Sequence, residues 1–177
     1  MPDQPKLTFV LGGARSGKSR YAESLVAAAP PPWAYVATAD PGESQRDGEM
    51  AERIAAHRAR RGPRWRTIEA PRDLAAALET CKTTPVLVDC LTLWLSNLML
   101  AEADIDAETA RLEDALAAAA GPVVLVANEV GSGIVPDYPL GRRFRDLQGV
   151  LNQRLAARAD RVVLVVAGLP LAVKGTL

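Results

Sequence analysis

Leu7-Thr8-Phe9-Val10-Leu11-Gly12-Gly13-Ala14-Arg15-Ser16-Gly17-Lys18-Ser19 decides the fold. A short, branched, apolar run reads as a strand buried on both faces. It feeds directly into G-x-x-x-x-G-K-[ST], matched in full by Gly12 to Ser19, and a helical pattern follows. Strand, glycine-rich turn and helix in that order is the context this motif needs. Its glycines let the backbone curl until the N–H groups point inward around a di- or triphosphate. The helix N-terminus adds partial positive charge. Lys18 would reach the β/γ-phosphates, and the Ser19 hydroxyl would ligate Mg²⁺. The motif points to nucleotide binding without identifying a reaction.

Outward from this turn, apolar runs alternate with alanine-rich helical segments. Further strands are expected at Trp33–Thr38, Trp65–Glu69, Pro85–Asp89, Pro122–Ala127 and Arg161–Val166. Trp65-Arg66-Thr67-Ile68-Glu69 alternates and reads as a more exposed strand. Helices are expected over 18–29, 47–61, 72–80, 91–101, 106–120 and 141–158. Such alternation with short loops predicts an α/β fold with a mostly parallel central sheet flanked by helices. With the phosphate-binding motif, that is a P-loop NTPase of RecA-like class. No linker, repeat or second composition zone interrupts residues 1–177, so a single nucleotide-binding domain is expected.

Composition excludes several alternatives. The 177 residues carry 21 Lys+Arg against 21 Asp+Glu, and that balance argues against a dedicated nucleic-acid binder. No run approaches the ~18–20 apolar residues of a membrane span. The stretch Met1 to Lys6 lacks a signal-peptide pattern, and a cytoplasmic location is expected. A single histidine rules out two-His metal sites, and Cys81 and Cys90 fit no C-x-x-C pattern. Both cysteines are expected to be reduced.

Three further features bear on chemistry. Asp89 ends an apolar strand, where a carboxylate can complete a Mg²⁺ shell; it could equally cap the helix starting near Leu91. Asn128-Glu129-Val130-Gly131 stands where a G-protein places N-K-x-D, but the carboxylate that reads guanine is missing. A Ras-like switch is therefore not expected. His57 shares a helical face with Arg53 and Arg61 at i, i±4 spacing. Two cations beside the ring would keep it neutral and nucleophilic, and the arginines could hold phosphates. A solvated basic helix face with an incidental histidine is the competing reading.

Several segments together resemble one family. They are Gly12–Arg20, Tyr35-Val36-Ala37-Thr38-Ala39, Glu49–Ile54 with His57-Arg58, and Trp65–Glu69. Asn128-Glu129-Val130-Gly131-Ser132-Gly133-Ile134-Val135-Pro136, Phe144-Arg145-Asp146 and Val150–Ala156 follow in the family's order. The chain resembles the bifunctional adenosylcobinamide kinase / adenosylcobinamide-phosphate guanylyltransferases of cobalamin biosynthesis. The resemblance implies phosphorylation of adenosylcobinamide by ATP or GTP. It also implies transfer of GMP from GTP onto that phosphate through a GMP-histidine intermediate, releasing pyrophosphate. It implies His57 as the nucleophile and Lys18 as a second catalytic residue. It places Gly12, Gly13, Ala14, Arg15, Ser16, Gly17, Lys18 and Ser19 on the nucleotide phosphates. Ala37, Thr38, Ala39, Arg58, Ala59, Arg60, Arg61, Glu69 and Asp89 would line the rest of the nucleotide site. Ser19 and Asp89 would hold Mg²⁺. Asp89 is one methylene shorter than the glutamate the family often has there. A homotrimer acting on small molecules is implied as well. Two other readings stand beside this one: a small-molecule kinase without the guanylyl step, and a nucleotide-binding regulatory module. Leu98, Leu100 and Asp137-Tyr138-Pro139 are candidate contacts for the corrinoid, although helix packing also explains the two leucines.

Overall fold

A computed structural model of the chain describes residues 5–40 and 61–177. The first strand, β1 (Leu7–Gly12), is followed by α1 (Lys18–Ala27) and β2 (Trp33–Ala37). Then come β3 (Trp65–Glu69), α2 (Leu74–Glu79), β4 (Val86–Asp89), α3 (Leu91–Leu100) and α4 (Ile105–Ala118). The chain finishes with β5 (Val123–Asn128), α5 (Pro139–Arg158), β6 (Arg161–Val166) and β7 (Leu169–Lys174). One seven-stranded sheet runs in the order β3-β2-β4-β5-β1-β6-β7. Six of its strands are parallel, and β7 returns antiparallel to β6. The expected strands and most expected helices therefore form within a few residues of their sequence limits. The predicted helix 47–61 lies outside the described residues except for Arg61.

Period-2 alternation sorts the strand side chains onto two faces. Leu7, Phe9, Val36, Val88 and Leu125 point to a core shared with Leu74, Trp94, Leu95, Leu112 and Leu155 of the helices. Val10, Tyr35, Leu87, Val126 and Val163 point the other way, onto Ala22 and Val26 of α1. Phe9 and Val10 are both fully buried, so the interior strand β1 is covered on each side. Full burial of side chains this size stabilises by about 1.5–3 kcal/mol each. The alternating strand β3 sits at the sheet edge with Arg66, Thr67 and Glu69 exposed, as its pattern predicts.

Local chemistry sets the helix ends. Asp73 caps α2 by accepting from the Ala76 N–H at 3.1 Å, and Asp104 caps α4 by accepting from Ala107 at 3.0 Å. Pro139 opens α5, where its missing N–H costs nothing. Glu113 of α4 accepts from Arg154 Nε and Nη2, each at 3.0 Å, and from Arg158 Nη2 at 3.1 Å, tying α4 to α5. Among the described residues, no helix is long and apolar enough to cross a membrane.

Strand β7 is the element the sequence reading did not anticipate. The turn joining it to β6 consists of Ala167 and Gly168, both in left-handed conformation at φ 52° and 81°. Two such residues match the twist of a tight hairpin. Alanine is an unusual occupant there, and Pro170 argues against a strand unless the strand is at an edge. β7 is an edge, so the missing Pro170 N–H leaves no ladder bond unmade.

Candidate active site

The carboxyl ends of the parallel strands carry the site. Gly12 ends β1 and Gly17 is the N-cap of α1 at φ 93°, a conformation that favours glycine. A Cβ on Gly12 would meet Ser16 Oγ at 2.5 Å and the Val165 carbonyl at 2.7 Å, so only glycine lets this turn close. Lys18 is the first residue of α1, is mostly buried, and donates from Nζ to the Gly13 carbonyl at 3.1 Å. The ammonium is thus held across its own loop, at the position where phosphate would lie. Ser16 Oγ is buried and has no hydrogen-bond partner among the described residues. A buried hydroxyl left unmatched in the turn that opens a helix fits a cradle made for an anion. Gly13, Ala14, Arg15 and Gly17 form the exposed rim, and Ser19 is half-buried at the start of α1.

Two outside contacts hold the cradle. Glu129 N–H donates to the Gly12 carbonyl at 3.2 Å, and Gly168 N–H donates to the Ser16 carbonyl at 2.8 Å. The first comes from the Asn128–Gly131 segment, whose role the sequence left open. The Glu129 carboxylate accepts from the backbone N–H groups of Gly131 at 2.7 Å and Ser132 at 3.2 Å, stapling its own loop. Burial pushes that carboxyl up. The Gly131 and Ser132 bonds and nearby Arg145 outweigh burial, leaving it below the usual glutamate range. Thr92 Oγ1 accepts from Asn128 N–H at 2.7 Å, and Asn152 donates to the Asn128 carbonyl at 3.1 Å.

On the far side of β5, Asp89 ends β4 and Ala37 ends β2. Asp89 is two strands from β1 and Glu69 four, roughly 10 Å and 19 Å at the usual strand spacing. Asp89 does not cap the following helix; the N-cap of α3 is Cys90. Asp89 Oδ2 instead accepts from the Tyr35 hydroxyl at 3.3 Å. The Arg61 guanidinium lies 3.3 Å above the Tyr35 ring, a close cation–π contact. It is also 4.0 Å from Glu23 of α1. Burial, then the Asp89 charge, push the Tyr35 hydroxyl far above its ordinary range, so it stays a donor. Trp65 packs edge-on to Tyr35 at 6.5 Å and against Trp33 at 5.3 Å.

Thr38 is fully buried. Its hydroxyl donates to the Cys90 carbonyl at 2.7 Å and accepts from the Cys90 N–H at 2.8 Å. It therefore clamps β2 to β4, while Ala37 and Ala39 are half-buried beside it. Of the residues named from sequence, Gly12–Ser19, Ala37–Ala39, Glu69 and Asp89 fall at this end of the sheet, while Arg61 precedes the start of β3 and its guanidinium reaches the Tyr35 ring. Arg53, His57, Arg58, Ala59 and Arg60 lie outside the described residues. Leu98 is buried core, which leaves it to helix packing, whereas Leu100 and Tyr138 are exposed. Sequence reasoning passed over Tyr35, Asn97 and Gly168 as site-supporting residues. Asn97 had a signal, being the one amide in the largely apolar helix Leu-Thr-Leu-Trp-Leu-Ser-Asn-Leu-Met-Leu.

The family model for cobinamide kinase / cobinamide phosphate guanyltransferase matches residues 8–173. The chain belongs to that family. The cobinamide kinase / guanyltransferase relatives include the bifunctional adenosylcobalamin biosynthesis protein CobP of Pseudomonas aeruginosa. It is 49% identical over 171 residues, covering 94% of this chain and 96% of the relative. CobU of Salmonella typhimurium, which carries the same bifunctional description, is 42% identical over 95% of this chain and 99% of its own. Membership makes the chain a bifunctional transferase of cobalamin biosynthesis with kinase and guanylyltransferase activities, as the resemblance implied. The fold has wider company. An ATPase of a bacterial type III secretion system aligns with TM-score 0.54 at 12% identity. The alignment covers 94% of this chain and 56% of the ATPase, a likeness of fold alone.

Proposed function

We propose that both reactions of the family use the nucleotide site at the carboxyl end of this sheet, with His57 as the covalent relay. The observation that carries the reading is the glycine-built cradle, with Lys18 Nζ drawn across it and the Ser16 hydroxyl buried without a partner. In the kinase step ATP or GTP lies with its phosphates on the Gly12–Ser19 backbone. The adenosylcobinamide hydroxyl attacks the γ-phosphorus, loses its proton, and the nucleoside diphosphate leaves. Lys18 and the α1 N-terminus offset the charge that builds on the departing oxygens. Ser19 and Asp89 are the residues that would hold Mg²⁺, which when bound neutralises phosphate charge. A hydroxyl and one carboxylate suffice, because phosphate and water supply the remaining oxygens.

In the guanylyl step a neutral His57 nitrogen attacks the α-phosphorus of GTP. A P–N bond forms and the bond to pyrophosphate breaks. The phosphate oxygen of adenosylcobinamide phosphate then attacks the same phosphorus, the P–N bond breaks, and free imidazole returns. Adenosylcobinamide-GDP is the product. Four residues of chain, at most about 14 Å when extended, separate His57 from Arg61. Arg61 rests on Tyr35 beside Asp89, and this supports His57 working at the same site. Arg58 to Arg61 would hold the triphosphate, and Ala37–Ala39 with Glu69 the nucleoside. The proposal extends to residues 1–177 acting as one cytoplasmic domain in a homotrimer.

The test is covalent labelling. Wild-type protein incubated with GTP labelled at the α-phosphate and Mg²⁺, then denatured, should retain label that is acid-labile and base-stable. His57→Ala should lose the label and keep most kinase activity, while Lys18→Ala should impair both. Absence of label on active wild-type enzyme would remove the histidine relay from the mechanism.

A further inference from the structure

The geometry points to Asn97 of α3 as a positioning residue that sets the nucleoside side of the nucleotide site without touching nucleotide. The inference rests on the assignment of Ala37–Ala39, Glu69 and Asp89 to that site. Its side-chain amide donates one hydrogen to the Thr38 carbonyl at 2.7 Å and the other to the Pro71 carbonyl at 2.9 Å. These carbonyls lie just past the ends of β2 and β3, where the sheet ladder has stopped and offers them no partner. One turn earlier on the same helix face, Trp94 Nε1 donates to the Arg72 carbonyl at 2.6 Å. Two side chains of α3 thereby hold two consecutive carbonyls of the turn that follows Glu69.

The consequence depends on where the site residues sit. Among the described residues β3 is the edge strand of the sheet, with β2 as its sheet neighbour. Glu69 is the last residue of that strand. Thr38 is bonded twice to Cys90, next to Asp89, so the amide on Thr38 also bears on the end of β4. Through two hydrogens Asn97 links the ends of β2 and β3 directly, and that of β4 through Thr38. Among the described residues its amide bonds only Thr38 and Pro71, while the phosphate cradle is braced from Glu129 and Gly168. Loss of Asn97 should therefore loosen the nucleoside half of the site and leave the phosphate half intact. Arg72 and Asp73 are exposed, so water can replace the bond lost by the half-buried Pro71 carbonyl, whereas the buried Thr38 carbonyl loses its partner at a cost that the melting measurement reads.

The experiment measures dissociation constants of GTP and of inorganic tripolyphosphate, each with Mg²⁺, by calorimetry on the full chain. Wild type, Asn97→Ala and Asn97→Asp are compared, with thermal melting followed in parallel. Tripolyphosphate reads the cradle alone; GTP reads the cradle and the nucleoside side together. The expected result is GTP binding weakened about tenfold in both variants, comparable to one lost charge-assisted hydrogen bond. Tripolyphosphate binding should stay within about twofold of wild type. Equal weakening of the two ligands would overturn the proposal, because it would mark a general loss of structure. Unchanged GTP binding would overturn it as well. If neither variant folds, Asn97 holds the fold and not the site, and the proposal falls. If wild type binds tripolyphosphate but gains nothing from the nucleoside, the site assignment itself fails, independently of Asn97.

Discussion

Gly168 donates its backbone N–H to the Ser16 carbonyl at 2.8 Å, so the β6–β7 turn is bonded to the phosphate cradle. The two turn residues respond oppositely to substitution. Ala167 holds φ 52° against its Cβ, and Ala167→Gly relieves that strain. Gly168→Ala imposes the same strain at φ 81°, with no contact within 4 Å to clash. Calorimetric melting should show Ala167→Gly raised and Gly168→Ala lowered, each by about 1 kcal/mol, or roughly 2–4 °C. Gly168→Ala should also weaken tripolyphosphate binding, since the Ser16 carbonyl moves with the turn.

Gly12→Ala tests the cradle from inside. The added methyl would press on Ser16 Oγ and the Val165 carbonyl, both closer than 3 Å. Equilibrium dialysis should find nucleotide binding lost. The comparison is Lys18→Ala, which leaves room in the loop and should cost about 10²-fold in kinase turnover.

Glu113 makes stability depend on acid. The Arg154 hydrogen bonds hold its carboxyl below the usual value against the opposing effect of burial, and Arg158 adds to them. Because the folded pKa is depressed, the stabilisation is complete above the unfolded value near 4.5 and fades as pH falls through the folded value. Glu113→Gln should cost about 2 kcal/mol at pH 7 in urea titrations. Half-exposed Arg158 contributes little of this. The gap between wild type and variant should narrow below about pH 4.5. A gap constant from pH 7 to 3 would remove the ion pair as its source.

Burial, then the adjacent Asp89 carboxylate, push the Cys90 thiol up to about 11. At pH 8 only about one thiol in a thousand is ionised. Iodoacetamide labelling of Cys90, followed by peptide mass spectrometry, should be slow at neutral pH. It should climb about tenfold per pH unit toward pH 10. A rate that levels off by pH 9 would indicate an ordinary thiol.

What could be read from sequence divides along local and non-local lines. Leu7 to Ser19 announced strand, cradle and helix because every part of that unit is made by neighbours in the chain. The alternation Trp65 to Glu69 gave a strand and its greater exposure; that it lies at the sheet edge came from the topology. Strand β7 was hidden, since Ala167 disguises its turn and Pro170 is compatible only with a strand already known to be an edge. The Asn97 clamp across the ends of β2 and β3 was hidden for another reason. Asn97 and Thr38 are 59 residues apart, and only the folded sheet shows that the lone amide of an apolar helix faces that carbonyl. For Asp89 only the capping reading could be checked in the fold, and Cys90 holds that position instead.

The packing of Trp33, Tyr35 and Trp65 gives the molecule an optical signature. Two of its three indoles lie 5.3 Å apart and tilted by 50°, close enough for their electronic transitions to couple. The third, Trp94, belongs to the core on the opposite face of the sheet. Trp65 is edge-on to the ring that carries Arg61, so a displacement of that guanidinium changes the field around a native chromophore. Near-ultraviolet circular dichroism and tryptophan emission thus follow the position of the Arg61 guanidinium without any attached dye.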